Sequence, residues 1–295
     1  MSKQSNAVAK LRQLIAGPEF IIMPCCYDGL SAKLIQHSGF DLTFMSGFAV
    51  SAARLGLPDT GLISYAEMLD QGRNICSAVD IPVLGDGDTG YGNAVNVKRT
   101  VHGYIQAGFA GIMIEDQRSP KRCGHTMGKE VVERPEALNR MSAVIEARSE
   151  ALERGEDIVI VARTDARATH GLSEAIERAN LFAELGADIL FIEAPRSEEE
   201  MHTICREVEG CRMVNMVEHG KTPVLPPASL KRMGYKIAAY PLTLLSSAVY
   251  ALRAALQHLR EGKTPAEILD FTELQDVVGF PEYYETLKRL EEEKL

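Results

Sequence analysis

Short apolar runs recur along the chain, and between them lie longer segments whose apolar positions return every three or four residues. The runs cover 20–23, 42–45, 81–84, 111–114, 158–162, 188–192, 212–214 and 236–239. Each is apolar on both faces, the mark of a strand buried in a parallel sheet. The segments between them carry helix punctuation. In the stretch 173–186, Ser173 predicts an N-cap and Gly186 a C-cap. Gly39, Gly108, Gly186 and Gly234 each stop a helical segment just before a run. Eight such strand–helix units predict a closed (β/α)8 barrel over residues 1–260; an open doubly wound sheet is the alternative. After Pro241 comes an apolar helical stretch, broken at Gly262-Lys263-Thr264-Pro265. The tail 261–295 predicts a C-terminal helical extension. Its stripe of Phe271, Leu274, Val277, Phe280, Tyr283 and Tyr284 predicts packing on a neighbouring subunit, hence a homo-oligomer.

The polar residues cluster where the runs end. Cys25, Ser46, Asp86, Asp88, Glu115, Arg163, Glu193 and Asn215 all stand at C-terminal ends of runs. In a (β/α)8 barrel that is the face that carries chemistry, so residues far apart in sequence would converge.

Two stretches sharpen this. Gly85-Asp86-Gly87-Asp88-Thr89-Gly90 matches the dinucleotide turn G-x-G-x-x-G in letters, but Asp86 and Asp88 inside the turn would repel a pyrophosphate. Two carboxylates one residue apart, with Glu115 and Asp116 on the next strand, make a pocket of hard oxygen ligands suited to Mg²⁺. The competing structural role, N-capping of the next helix, accounts for one Asp and not for both. The second stretch runs from Glu115 to Lys129 and contains Lys121-Arg122-Cys123-Gly124-His125. A thiol flanked by cations is how a protein makes thiolate available; the bland alternative is a solvated turn with an incidental Cys.

Composition narrows the setting. The 295 residues carry a net charge of −9, which argues against nucleic acid, so an anionic substrate must meet positive charge supplied locally. The six cysteines (25, 26, 76, 123, 205 and 211) show no C-x-x-C or zinc spacing. No signal-peptide core and no membrane-length apolar run is present. These features predict a cytoplasmic protein with reduced thiols.

With these residues in view, the chain resembles the isocitrate lyase / phosphoenolpyruvate mutase superfamily over residues 10–260. The motifs that carry the resemblance are 121–125, Asp86 to Gly90, Glu115-Asp116-Gln117, Ala162-Arg163-Thr164-Asp165, Phe191 to Ala194, and Asn215 to Glu218 with Lys221-Thr222-Pro223. The pattern is nearer to the 2-methylisocitrate lyase, 2,3-dimethylmalate lyase, petal-death protein and carboxyphosphonoenolpyruvate mutase branch than to the longer isocitrate lyases. The resemblance implies a Mg²⁺ ion, with Mn²⁺ as a substitute, held by Asp86 and Asp88 mainly through water and supported by Asp59 and Glu115. It implies that Ser46, Gly47 and Arg163 hold the α-oxo acid end of a small di- or tricarboxylate. Gly124, His125, Glu193 and Asn215 would line the rest, beside Phe48. Cys123 would be the acid/base on a mobile loop, with Lys121 and His125 beside it. The assembly implied is a homotetramer, a dimer of dimers with an exchanged C-terminal helix. Three positions depart from the pattern: Phe48 replaces a small residue or Tyr, Gly87 stands where Ala is usual, and His219 where Gly or Phe is common. A bulky Phe48 should change which C3 substituent fits.

The activity implied is Mg-dependent carbon–carbon cleavage of a 2-hydroxy dicarboxylate (2-methylisocitrate, dimethylmalate or a related alkylmalate) to an α-oxo acid and a carboxylate. Alternatives are oxaloacetate hydrolysis or decarboxylation at the same metal, P–C bond formation of the carboxyphosphonoenolpyruvate mutase type, and a non-catalytic binding protein on a degenerate barrel.

Overall fold

A computed structural model describes residues 2–124 and 128–292. It divides into two compact units, Met1–Leu244 and Leu245–Leu295, whereas the sequence pattern drew its boundary at 260.

In the first unit α1 (Lys3–Ala16) leads into eight strands: β1 (Ile21–Cys26), β2 (Thr43–Met45), β3 (Val83–Asp86), β4 (Gly111–Glu115), β5 (Val159–Thr164), β6 (Ile189–Ile192), β7 (Cys211–Asn215) and β8 (Ile237–Tyr240). All neighbours pair in parallel and β8 closes onto β1, Ile21 against Ile237, so the sheet is a closed barrel and not an open one. The connections carry α2 (Gly29–His37), α3 (Gly47–Val50), α4 (Tyr65–Ala78), α5 (Ala94–Ala107), α6 (Arg134–Glu153), α7 (Ala166–Thr169), α8 (Leu172–Leu185), α9 (Glu198–Glu207) and α10 (Pro227–Met233). The helix α11 (Thr243–Arg260) follows β8, and α12 (Phe271–Val278) and α13 (Phe280–Glu292) complete the extension.

Local chemistry explains the boundaries. Gly108, Gly186 and Gly234 sit at φ 98°, 108° and 110° and end α5, α8 and α10 in the left-handed conformation that costs glycine least. The helix α4 opens with a reciprocal capping box between Ser64 and Glu67. One expectation fails here. The N-cap of α8 is Gly171, not Ser173, because Gly171 at φ 94° turns the chain in from α7 two residues earlier.

Side chains on the strands sort onto two faces. Outward residues join the helices in the larger core, with Tyr104 stacked on Phe109 at 4.6 Å. Inward residues, among them Met23, Phe44, Leu84, Met113, Phe191 and Met213, fill the barrel itself. Val8 and Leu11 of α1 join that inner cluster. Arg12 binds Asp157 at 2.6 Å and Asp188 at 3.0 Å, just before β5 and β6, which pins α1 across the N-terminal ends of those strands. The opposite end is left to chemistry.

In the second unit no residue of α12 or α13 is buried, and Phe271, Tyr283 and Tyr284 are exposed.

Candidate active site

The C-terminal mouth of the barrel holds a cavity of about 60 Å³. Ser46, Phe48, Asp59, Asp86, Lys121, Cys123, Gly124, Arg163, Glu193 and Asn215 line it, all of them positions the sequence singled out. Gly47, Asp88 and Glu115 stand behind that lining and touch its members. His125 lies outside the described residues.

One side of the mouth is a nest of buried carboxylates. Asp86 ends β3; its Oδ2 accepts from Gly47 N–H at 3.2 Å and its Oδ1 from Asp88 N–H at 3.0 Å. Asp88 is held in the left-handed region at φ 48°, and its backbone carbonyl accepts from Glu115 N–H at 2.9 Å. Neither Asp caps a helix, for the N-cap of α5 is Asn93. The tightness of this turn also explains two glycines. A Cβ on Gly47 would lie 2.5 Å from Asp86 Oδ2, and one on Gly87 would lie 2.8 Å from the Met113 carbonyl. An Ala at 87 therefore requires the β3 and β4 ends to part slightly.

Lys121 reaches from the loop into this nest. Its Nζ is 2.5 Å from Asp59 Oδ1 and 2.8 Å from Asp88 Oδ1, with all three side chains nearly fully buried. Lys121, expected beside the thiol, thus places its charge between these two carboxylates. Burial pushes Asp88 up to about 6, against the pull of Lys121 and with the repulsion of Asp86 and Asp59 added. Burial disfavours the charged form of Lys121, but Asp88, Asp86, Asp59 and Glu115 outweigh it and keep the ammonium protonated. Another cation is within electrostatic reach of the thiol. Lys221 has its pKa lowered by burial, Lys129 and Arg196, while Cys123 and Glu193 oppose them.

The other side is built on Arg163. The β4–β5 register sets Glu115 beside it, and Arg163 Nε lies 3.2 Å from Glu115 Oε2, 2.8 Å from Asp165 Oδ2 and 3.8 Å from Glu193 Oε2. Asp165 also takes Lys129 Nζ at 2.6 Å. Asp165 would be raised by burial alone, but Arg163 and Lys129 hold it well below the usual carboxylate range. Beneath it Asp116 accepts from Asp165 N–H at 2.9 Å, Thr164 Oγ1 at 2.6 Å and Arg178 Nη1 at 3.0 Å. Asp116, expected beside Glu115 in the metal pocket, thus turns to Asp165, Thr164 and Arg178 instead; Lys129, Asp165 and Arg178 were not among the predicted site residues. Asp165 did lie inside the quoted Arg163-Thr164-Asp165 motif, and Arg178 sits among the buried apolar positions of α8.

The loop lies down on this mouth. Gln117 brackets the Arg122 backbone, accepting from its N–H at 2.9 Å and donating to its carbonyl at 2.8 Å. Cys123 N–H donates to the Asp59 carbonyl at 3.2 Å. Gly124 packs directly against Glu193 and Arg163.

The residues fit a divalent cation. Asp59, Asp86, Asp88 and Glu115 bring four carboxylates against the ammonium of Lys121 and the guanidinium of Arg163, and the buried Glu115 Oε1 has no hydrogen-bond partner among the described residues. No three His, Cys, Asp or Glu side chains among the described residues form a direct ligand cage. Mg²⁺ binds through one or two carboxylates and keeps its waters, so it does not need such a cage.

Fold and site together define a (β/α)8 enzyme with an acidic metal-type pocket and a thiol-bearing loop over it. A family model described as phosphoenolpyruvate phosphomutase matches residues 11–260. A 2,3-dimethylmalate lyase from Eubacterium barkeri is 41% identical over 278 residues, covering 93% of this chain and 94% of that one. The structure of an oxaloacetate acetylhydrolase with the inhibitor 3,3-difluorooxalacetate superposes with a TM-score of 0.90 at 36% identity, covering 96% of each chain. A phosphonopyruvate hydrolase complex with oxalate and Mg²⁺ superposes with a TM-score of 0.84 at 27% identity, covering 98% of this chain and 99% of that one. The chain belongs to the phosphoenolpyruvate phosphomutase family, and within the isocitrate lyase superfamily it is an enzyme of the carbon–carbon lyase class.

Proposed function

We propose that the protein is a Mg²⁺-dependent lyase that cleaves the C2–C3 bond of a 2-hydroxy dicarboxylate bearing a small apolar C3 substituent, a dialkylmalate. One observation carries this reading. The cavity joins Asp86, Cys123 and Arg163 to a wall of Phe48, Val217, Pro241 and Leu242, which offers an alkyl group apolar contact.

Asp86 and Asp88 would hold the ion, supported by Asp59 and Glu115. When bound, it would supply Lewis-acid stabilisation of charge developing on the substrate's C1–C2 oxygens. Arg163 holds the α-oxo acid end, with Ser46 and Gly47 at the end of β2. A carboxylate of the acidic nest takes the C2 hydroxyl proton. As C2–C3 breaks, its electron pair passes to C3, leaving an α-oxo acid and the enolate of the second carboxylate. Cys123, lining the same cavity, donates its proton to that carbon. Gly124 seated on Glu193 keeps water from the enolate.

Oxaloacetate hydrolysis is the second reading, favoured by the similarity to the oxaloacetate acetylhydrolase structure. A panel of 2,3-dimethylmalate, 2-methylisocitrate, isocitrate and oxaloacetate, assayed for α-oxo acid release with Mg²⁺ and with EDTA, separates them. Pyruvate from dimethylmalate, abolished by EDTA and restored by Mg²⁺ or Mn²⁺, supports the lyase. Consumption of oxaloacetate alone refutes it in favour of hydrolysis or decarboxylation.

The same proposal includes a homotetramer with an exchanged C-terminal helix. The exposed Leu252, Leu256 and Leu259 of α11 and Phe271, Tyr283 and Tyr284 beyond it support this, because exposed apolar rows of this kind mark interfaces. Light scattering on the purified protein tests it. A cytoplasmic setting belongs to it too, supported by six cysteines that are all thiols. No helix among the described residues is long and apolar enough to cross a membrane.

A further inference from the structure

We propose that Lys129 is a positioning residue that sets Arg163 for the substrate carboxylate by sharing Asp165 with it. The inference rests on the reading of Arg163 given above.

Lys129 sits on the return arm of the Cys123 loop, yet its side chain is 2% exposed, unusual for a loop lysine. Its Nζ is 2.6 Å from Asp165 Oδ1. Arg163 uses both oxygens of the same carboxylate, Nε to Oδ2 at 2.8 Å and Nη2 to Oδ1 at 3.2 Å. The Oδ1 contact is the longer of the two, and Oδ1 is the oxygen Lys129 occupies. The Asp165 backbone is held by its N–H to Asp116, and its carboxylate lies between the two cations.

Charge argues in the same direction. Arg163 faces three carboxylates, Glu115, Asp165 and Glu193. A guanidinium so surrounded is held tightly by its own protein and offers less to a ligand. Lys129 offsets one of those charges and competes for Oδ1, the longer arm of the bidentate fork that Arg163 makes with Asp165. Removing Lys129 would let that fork tighten and draw Nη2 away from the cavity that Arg163 lines. No hydrogen bond among the described residues commits Nη1, so the guanidinium keeps a donor edge for an incoming carboxylate.

The test uses the full-length enzyme in saturating Mg²⁺ and oxalate, a two-carboxylate mimic of an α-oxo acid, with affinity read by calorimetry so that no turnover is needed. Lys129→Met should weaken oxalate about tenfold, within the range of coupling between contacting residues, and Lys129→Arg should restore most of it. Should Lys129→Met fail to fold, Lys129→Gln keeps a donor to Asp165 without the charge and is read in the same way. The deciding measurement is the double-mutant cycle with Arg163→Lys. If Lys129 acts through Arg163, Lys129→Met has almost no further effect in the Arg163→Lys background. Additive losses, or a Lys129→Met protein with wild-type oxalate affinity, would overturn the inference alone. Wild-type protein that binds no oxalate would overturn the carboxylate role of Arg163, and this inference with it.

Discussion

Gly124→Ala isolates what the docked loop contributes. Gly124 is not in the left-handed region, so the glycine is there for space and not for backbone freedom. A Cβ at 124 would stand 2.5 Å from Glu193 Cδ and 2.6 Å from Arg163 Nη2. Ordinary heavy-atom contact is about 3.5–4.0 Å, so something must move by roughly 1 Å. Glu193 cannot retreat easily: it is fully buried and accepts from Asn215 Nδ2 at 3.1 Å. Arg163 is fixed by Asp165. Overpacking of this kind costs about 1–3 kcal/mol. The loop can escape the clash by lifting, so the cost falls on the docked state and leaves the barrel's stability intact. The docked population, and kcat/KM with it, should drop roughly 5- to 150-fold. Steady-state kinetics on the substrate identified by the panel, with thermal unfolding of the same preparation, checks both halves. Wild-type kcat/KM would refute the close approach. A melting temperature that falls in step with activity would refute the claim that the penalty is confined to the loop.

Three further substitutions probe other parts of the site. Cys123→Ser should keep calorimetric Mg²⁺ binding and lose about 10²- to 10⁴-fold in turnover, the usual worth of a positioned acid; a near-normal rate removes Cys123 from the mechanism. Arg178→Met strands Asp116 in the interior, since Arg178 is 1% exposed and bonds Asp116, Glu174 and the Val132 carbonyl. It should cost about 3–5 kcal/mol in urea unfolding at unchanged m, and a loss below 1 kcal/mol would show that the network is not stabilising. Glu174 has its pKa lowered from 4.5 to about 2, by its hydrogen bond to Arg134 foremost and then Arg178. Folding thus favours the charged form, so its contribution is full above pH 4.5 and is lost as pH falls towards 2. Glu174→Gln should melt below wild type at pH 7, with the gap narrowing below pH 4.5 and closing only as pH falls through about 2; a gap independent of pH would refute the ionic origin.

Fold and site were legible to different depths. The barrel was legible because eight apolar runs and the helix-stopping Gly108, Gly186 and Gly234 are local signals, and closure follows from their number. Boundaries slipped where a local signal had a rival, as at Ser173, which reads as a cap until Gly171 takes the turn. The five-residue π-helical segment Ser51–Leu55 left no trace in the periodicity. His219, where the resemblance leads one to expect Gly or Phe, stands at φ 61°, in the left-handed region that favours glycine. Asp86, Glu115 and Arg163 were legible because they stand at the ends of strands, whereas Asp59 entered only through the family resemblance. Their buried partners were not, since pairings such as Asp116 with Arg178 join positions that only the tertiary fold brings together.

Lys121 shows the limit most clearly. In sequence it stands two residues before a thiol, and proximity suggests that its charge serves the thiol. In the fold that charge lies between Asp59 and Asp88, which come from the segment before α4 and the turn after β3. An ammonium needs nearby anions more than it needs any particular neighbour in sequence, and two buried carboxylates at 2.5 and 2.8 Å satisfy it better than one partly exposed thiol can. The consequence reaches the chemistry. A loop whose lysine lies between Asp59 and Asp88, and whose glycine seats on Arg163 and Glu193, is held to both halves of the mouth on either side of Cys123.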